Sequence, residues 1–98
     1  MTRNENLLVT LMEECAEVQQ SVSKALRFGL DNLSPVEQMR NKDLIMHEFY
    51  QLVAVVDMLV GDETLPQYDS SKVLRIKASK QEKVLSYQKF SKDAGLIV

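Results

Sequence analysis

A single cysteine, Cys15, excludes an internal disulfide, and with no second Cys or nearby His it has no zinc partner; it fits a reducing compartment and reads as a small core residue. Three glycines and two prolines supply too little turn chemistry for a many-stranded sheet, which leaves long helices. There is no excess of positive charge: the formal net charge of −2 gives no general attraction to nucleic acid. The start, Met1-Thr2-Arg3-Asn4-Glu5, has an acid and no apolar run of signal-peptide length, so a cytoplasmic protein is expected. The most apolar stretch, Leu44 to Val60, carries His47, Glu48, Gln51 and Asp57, so it is expected to be a buried helix and not a membrane span. No glycine-rich phosphate loop, nucleophile elbow, internal repeat or sustained heptad pattern occurs, and no Glu-x-x-His pair offers a di-iron site.

What is there is the balance of a globular protein, 45% hydrophobic and 27% charged, in a chain sized for one domain spanning residues 1–98. Apolar residues recur at helical spacing through Leu8, Leu11, Met12, Cys15, Val18, Val22, Ala25 and Leu26, which predicts a first helix from about Glu5 to about Arg27, stopped by Gly29. Ser34-Pro35-Val36-Glu37 has the pattern of a capping box and predicts a short helix ending near Arg40. A second long helix is expected from Asn41 as N-cap to about Val60, before Gly61. A third should begin at Ser70 or Ser71 and run to about Ala94, before Gly95. The second is apolar nearly all round and needs cover on most sides. The expected architecture is therefore all-α, three long helices and one short one in a bundle completed by a second copy of the chain.

Charge is divided along the sequence. Residues 1–65 hold eleven acids against five bases, and residues 66–98 hold three acids against seven bases. Glu13, Glu14 and Glu17 project within one arc of the first helix, with Glu14 bordering its apolar face and Glu13 the most outward. Taken alone, three such residues make a solvated acidic face. Glu48 changes the reading, because an ionised carboxylate inside an apolar helix is costly unless paired or bound to metal. A buried Glu48 facing the carboxylates of the first helix is most simply reconciled by a hard divalent cation between them, Mg²⁺ or Mn²⁺. Asp57 lies on the opposite side of its helix and cannot join that group. His47, the only histidine, reads as a hydrogen-bonded structural residue.

The run Leu11-Met12-Glu13-Glu14-Cys15-Ala16-Glu17-Val18, followed by Ser23-Lys24-Ala25-Leu26-Arg27-Phe28-Gly29-Leu30, resembles the first helix of the MazG-like all-α nucleoside triphosphate pyrophosphohydrolases, whose motif is E-E-x-x-E followed by E-x-x-D. Asn41 to Leu59 is similar to the second motif helix, and Lys80-Gln81-Glu82-Lys83-Val84 to the basic third helix. The resemblance implies a homodimer or homotetramer whose carboxylates bind Mg²⁺, with an NTP or dNTP hydrolysed to the monophosphate and pyrophosphate. It implies metal ligation by Glu14, Glu17 and Glu48, with Glu13 a ligand, an orienting group or the residue that positions water. The fourth ligand departs from the pattern: Gln51 stands where the family has Asp, and its amide oxygen coordinates without charge. That departure keeps open the alternative of a catalytically weakened or inactive relative that binds nucleotide or other proteins. Lys80 and Lys83, with Lys77 in the same series, are the candidate phosphate contacts; Lys24 and Arg27 are weaker ones.

Overall fold

The computed structural model describes all 98 residues, and the chain is all-α. Three helices follow in order, α1 (Arg3–Phe28), α2 (Asn41–Gly61) and α3 (Ser70–Asp93), with no strand beyond an isolated bridge between Leu33 and Arg40. The chain divides into two compact units, Met1–Pro66 and Gln67–Val98.

In the first unit α1 packs on α2. Thr2 begins α1 with a full capping box: its hydroxyl accepts from the Glu5 N–H at 3.1 Å, and its own N–H donates to the Glu5 carboxylate at 3.1 Å. Such a cap stabilises a helix by about 1 kcal/mol. Gly29 ends α1 at φ 98°, its N–H donating to the Ala25 carbonyl at 2.9 Å. The two helices run antiparallel, since Arg3 at the start of α1 pairs with Asp62 just beyond α2 at 2.5 Å. At the opposite end the buried Asn41 donates its side-chain amide to the Gly29 carbonyl at 2.8 Å, tying the first turn of α2 to the last of α1. The buried positions are few: Ala25, Leu44 and Leu59 among apolar residues, Ser21, Ser34 and Asn41 among polar ones.

The expected short helix is a single turn that does not continue. The Gln38 N–H does donate to the Ser34 carbonyl at 3.0 Å, and the Ser34 hydroxyl does donate to the Glu37 carboxylate. Gln38 then enters the left-handed region at φ 59°, and the Ser34 N–H turns to the Met39 carbonyl at 2.7 Å. The cap chemistry of this segment is spent on closing a loop that returns the chain to α2. Arg40, not Asn41, stands at the N-cap position of α2, and its side chain makes no capping hydrogen bond. The other end of α2 also differs from expectation: Gly61 is still helical, and the left-handed residue is Glu63, at φ 62°.

Within one copy α2 is far from enclosed: only Asn41, Leu44 and Leu59 are buried, while Phe49, Tyr50, Met46 and Met58 are exposed. The buried helix expected from its composition is therefore not found within a single chain. An 18-residue window of α2 has a mean hydropathy of 1.4, which makes the helix long and apolar enough to cross a membrane by length and composition, a property that core helices share.

In the second unit Asp69 caps α3 by accepting from the Lys72 N–H at 2.7 Å, one residue ahead of the serines expected to do so. The Lys72 ammonium lies over the Tyr68 ring, 3.8 Å from its centroid. None of the residues of α3 is buried, and Leu74, Leu85, Tyr87 and Phe90 are each more than 60% exposed.

Candidate metal centre

Glu14 and Glu17 are one turn apart on α1, and the packing of α2 on α1 brings Glu48 opposite them. One carboxylate oxygen from each of the three lies within 4.8 Å of the others. Glu17 is exposed, whereas Glu14 and Glu48 are half-buried, each with one oxygen, Oε2, shut off from solvent and without a hydrogen-bond partner. Two unpartnered carboxylate oxygens beside a third carboxylate form a costly arrangement for a chain by itself. The electrostatics register that cost. Burial pushes the Glu48 carboxyl above its ordinary value, the neighbouring Glu17 carboxylate reinforces the shift, His47 opposes it, and Glu14 adds to it.

The donor set fits a hard divalent cation. It is all-oxygen, anionic and dry on one side, and Mg²⁺ and Mn²⁺ take such ligands. Oxygens on an octahedral ion with bonds of about 2.1 Å stand about 3–4 Å apart, so a spread of up to 4.8 Å is closed by small side-chain movements.

The other expected site residues are placed differently. Glu13 is exposed and is not one of the three clustered carboxylates. Gln51 is exposed, and its amide Nε2 lies 3.1 Å from Nε2 of His47, one turn earlier on α2; with the imidazole proton on Nδ1, the amide donates to the ring. Lys80 and Lys83 are exposed on α3, one turn apart, along a shallow groove of the second unit that Lys72 and Arg75 also line. Cys15, expected in the core, is exposed, because it shares with Met12, Gln19 and Val22 a face of α1 that stays exposed.

Beside the carboxylates is a mostly polar cleft of roughly 200 Å³, walled by Glu17, Gln20, Ser21, Lys24, Glu37, Leu44 and Glu48. Gln20 carried no signal of its own in the sequence, and Glu37 only that of a capping box. Gln20 continues the Glu17 stripe at a spacing of three and Lys24 extends it by four, so this face of α1 was legible once Glu17 was placed on it. Glu37 reaches the cleft only through the loop after α1. There its carboxyl is held below the ordinary range by the Ser34 hydroxyl first, then by a backbone hydrogen bond, with Lys24 adding its positive charge. Lys24 is half-buried and has no carboxylate within ion-pairing distance.

No protein-family model matches the chain, and no curated protein or solved structure does so.

Proposed function

We propose that the protein is a divalent-cation-dependent pyrophosphohydrolase that converts an NTP or dNTP to its monophosphate and pyrophosphate. The observation that carries this reading is the cluster of Glu14, Glu17 and Glu48, each with a carboxylate oxygen within 4.8 Å of the others, in which Glu14 and Glu48 each also keep a buried, unpartnered oxygen. The resemblance of Glu13-Glu14-x-x-Glu17 and Glu48 to the MazG-like motifs supplies the substrate class. In the reaction, the oxygen of water bonds to the α-phosphorus, and the bond from that phosphorus to the α,β-bridging oxygen breaks, releasing pyrophosphate.

Glu14, Glu17 and Glu48 are the proposed ligands. Mg²⁺ or Mn²⁺ bound there supplies charge neutralisation on the phosphates and orientation for in-line displacement. Glu48 would ligate as the carboxylate, and the positive charge of the ion would offset the burial and like charge that raise its carboxyl. The exposed Glu17 faces the polar cleft and borders the path by which phosphate enters. Glu13 serves outside the cluster, as a group that orders water at its edge. Lys80 and Lys83 remain candidate phosphate contacts from α3.

A second reading, a nucleotide-binding relative with a weakened or silent site, is favoured by one specific observation. Gln51, where the family carries a fourth carboxylate, is engaged with His47. Under either reading we propose a homodimer or homotetramer, since the exposed apolar side of α2 needs cover, and we take α2 as a core helix of a cytoplasmic assembly.

The test is Mg²⁺- or Mn²⁺-dependent release of pyrophosphate from a panel of NTPs and dNTPs, comparing the unmodified chain with Glu17→Gln and Gln51→Asp. Turnover that Glu17→Gln abolishes and Gln51→Asp raises establishes the enzyme. No turnover in any of the three, from folded oligomers, removes the catalytic reading and leaves the binding one.

A further inference from the structure

The polar cleft is not isolated. It shares Lys24 and Glu37 as walls with a second cleft of roughly 130 Å³, which is mostly apolar and is lined further by Phe28, Leu33, Pro35 and Val36. The two adjoin at these residues, one beginning at the carboxylates and the other ending against the loop after α1, and together make a groove with Lys24 and Glu37 at its waist. Its chemistry changes along its length, from the acids Glu17 and Glu48, past the ammonium of Lys24, to an aromatic ring and aliphatic side chains. Neither half reaches the roughly 300 Å³ at which pockets for organic ligands of ordinary size begin, but the two together do.

We propose that this groove is a bipartite nucleotide site in which Lys24 contacts the phosphate chain and the apolar half, built by Phe28, Leu33 and Val36, holds the nucleobase. The inference deepens the pyrophosphohydrolase reading and rests on it. Three observations carry it. Lys24 is the only cation lining the polar half, is half-buried, and forms no ion pair, so its charge is available to an anion arriving at the carboxylates. The apolar half presents large side chains to solvent: Leu33 is 60% exposed, Val36 83% and Phe28 56%, the Arg27 guanidinium lying over one face of the Phe28 ring, 5.0 Å from its centroid, and leaving the other face for a ligand. That is the surface on which a flat aromatic heterocycle stacks, and stacking tolerates any base. Glu37 lines both halves of the groove and adds selection, because a carboxylate oxygen, with more than one lone pair, accepts from a base N–H even while it is bonded within the loop.

The loop is built to hold this wall in place. Asn41 clamps the Gly29 carbonyl, the Lys42 N–H donates to the Leu30 carbonyl at 3.0 Å, and the Asn41 N–H donates to the Asn32 carbonyl at 2.9 Å. The base-binding wall is thus pinned to the same two helices that carry the carboxylates.

Calorimetric titration with α,β-imido deoxynucleoside triphosphates and, separately, with inorganic tripolyphosphate, both in Mg²⁺, tests this without turnover. Phe28→Ala and Val36→Ala alter exposed side chains, and circular dichroism checks that each variant is folded. Each is expected to weaken the nucleotide analogue about tenfold and leave tripolyphosphate unchanged, whereas Lys24→Gln weakens both. Equal affinities of Phe28→Ala, Val36→Ala and the unmodified chain for the nucleotide analogue overturn the apolar half as the base site. The same holds for a loss of tripolyphosphate binding that parallels the loss of nucleotide binding. If the unmodified chain binds tripolyphosphate but no nucleotide analogue more tightly, the base site is overturned while the metal-phosphate reading stands. If it binds neither, both fall.

Discussion

Glu48 on α2 and Glu17 on α1 bring carboxylate oxygens within 4.8 Å of each other across the helix pair, and the Glu48 carboxyl is raised by its burial and then by that neighbour. The sign of the pH effect follows. Between the ordinary value of 4.5 and the raised folded value, the folded chain binds more protons than the unfolded one. This contribution to stability is fully present below 4.5 and is lost as pH rises through the folded value. Thermal unfolding in a chelator, from about pH 4 to about pH 8, is expected to show the unmodified chain losing stability relative to Glu48→Gln as pH rises. Parallel profiles for the two proteins would remove the strained carboxylate pair from the account.

Cation binding should reverse that loss. A ligand that binds only the folded state adds about 2.7 kcal/mol at a hundredfold excess over its Kd, which in a domain of this size corresponds to a rise in Tm of roughly 10–20 °C. Mg²⁺ is expected to raise the Tm of the unmodified chain, and to do so far less in Glu14→Gln and Glu48→Gln, which each lose a ligand. Gln51→Asp should tighten Mg²⁺ roughly tenfold, at the expense of the contact with His47. Equal Mg²⁺-induced shifts in all four proteins would mean that the ion binds elsewhere.

Gly29 tests the junction between α1 and the loop. Its φ of 98° is disfavoured for any side chain, and a Cβ there would come within 2.7 Å of Asn32 Nδ2, which donates to the Phe28 carbonyl. Gly29→Ala is expected to destabilise the chain by about 1–2 kcal/mol, measured by urea unfolding. Gly61→Ala is the control: the residue is helical, with open space at its Cβ, and the change should be neutral or stabilising.

Oligomerisation is open to direct measurement. Leu74, Leu85, Tyr87 and Phe90 on α3, and Tyr50 on α2, are exposed to an extent unusual for large apolar residues in a lone small protein. Sedimentation velocity is expected to give a dimer or tetramer for the unmodified chain, with Leu85→Glu and Tyr50→Glu shifting it toward smaller species. A monomer at concentrations of tens of micromolar would remove the second copy from the architecture.

The helices and their stops were legible in the sequence because their causes are local. Apolar spacing set the axis of α1, Gly29 ended it, and Glu48 marked itself by standing in an apolar run. Caps are decided by a few side-chain contacts, and here the sequence was one or two residues out: Arg40 in place of Asn41, Asp69 in place of Ser70, Glu63 in place of Gly61 for the left-handed turn. Ser34 and Glu37 kept their contact, yet the short helix did not form, because a loop only twelve residues long has to return to α2 and Gln38 takes the left-handed conformation that turns it. Convergence is a different matter, since periodicity places a residue on a face but not at a distance. That Glu14, Glu17 and Glu48 meet within 4.8 Å, that Gln51 lies against His47, and that Lys24 and Glu37 join a polar cleft to an apolar one were decided by the packing of α1 against α2 and by the loop that Asn41 holds between them.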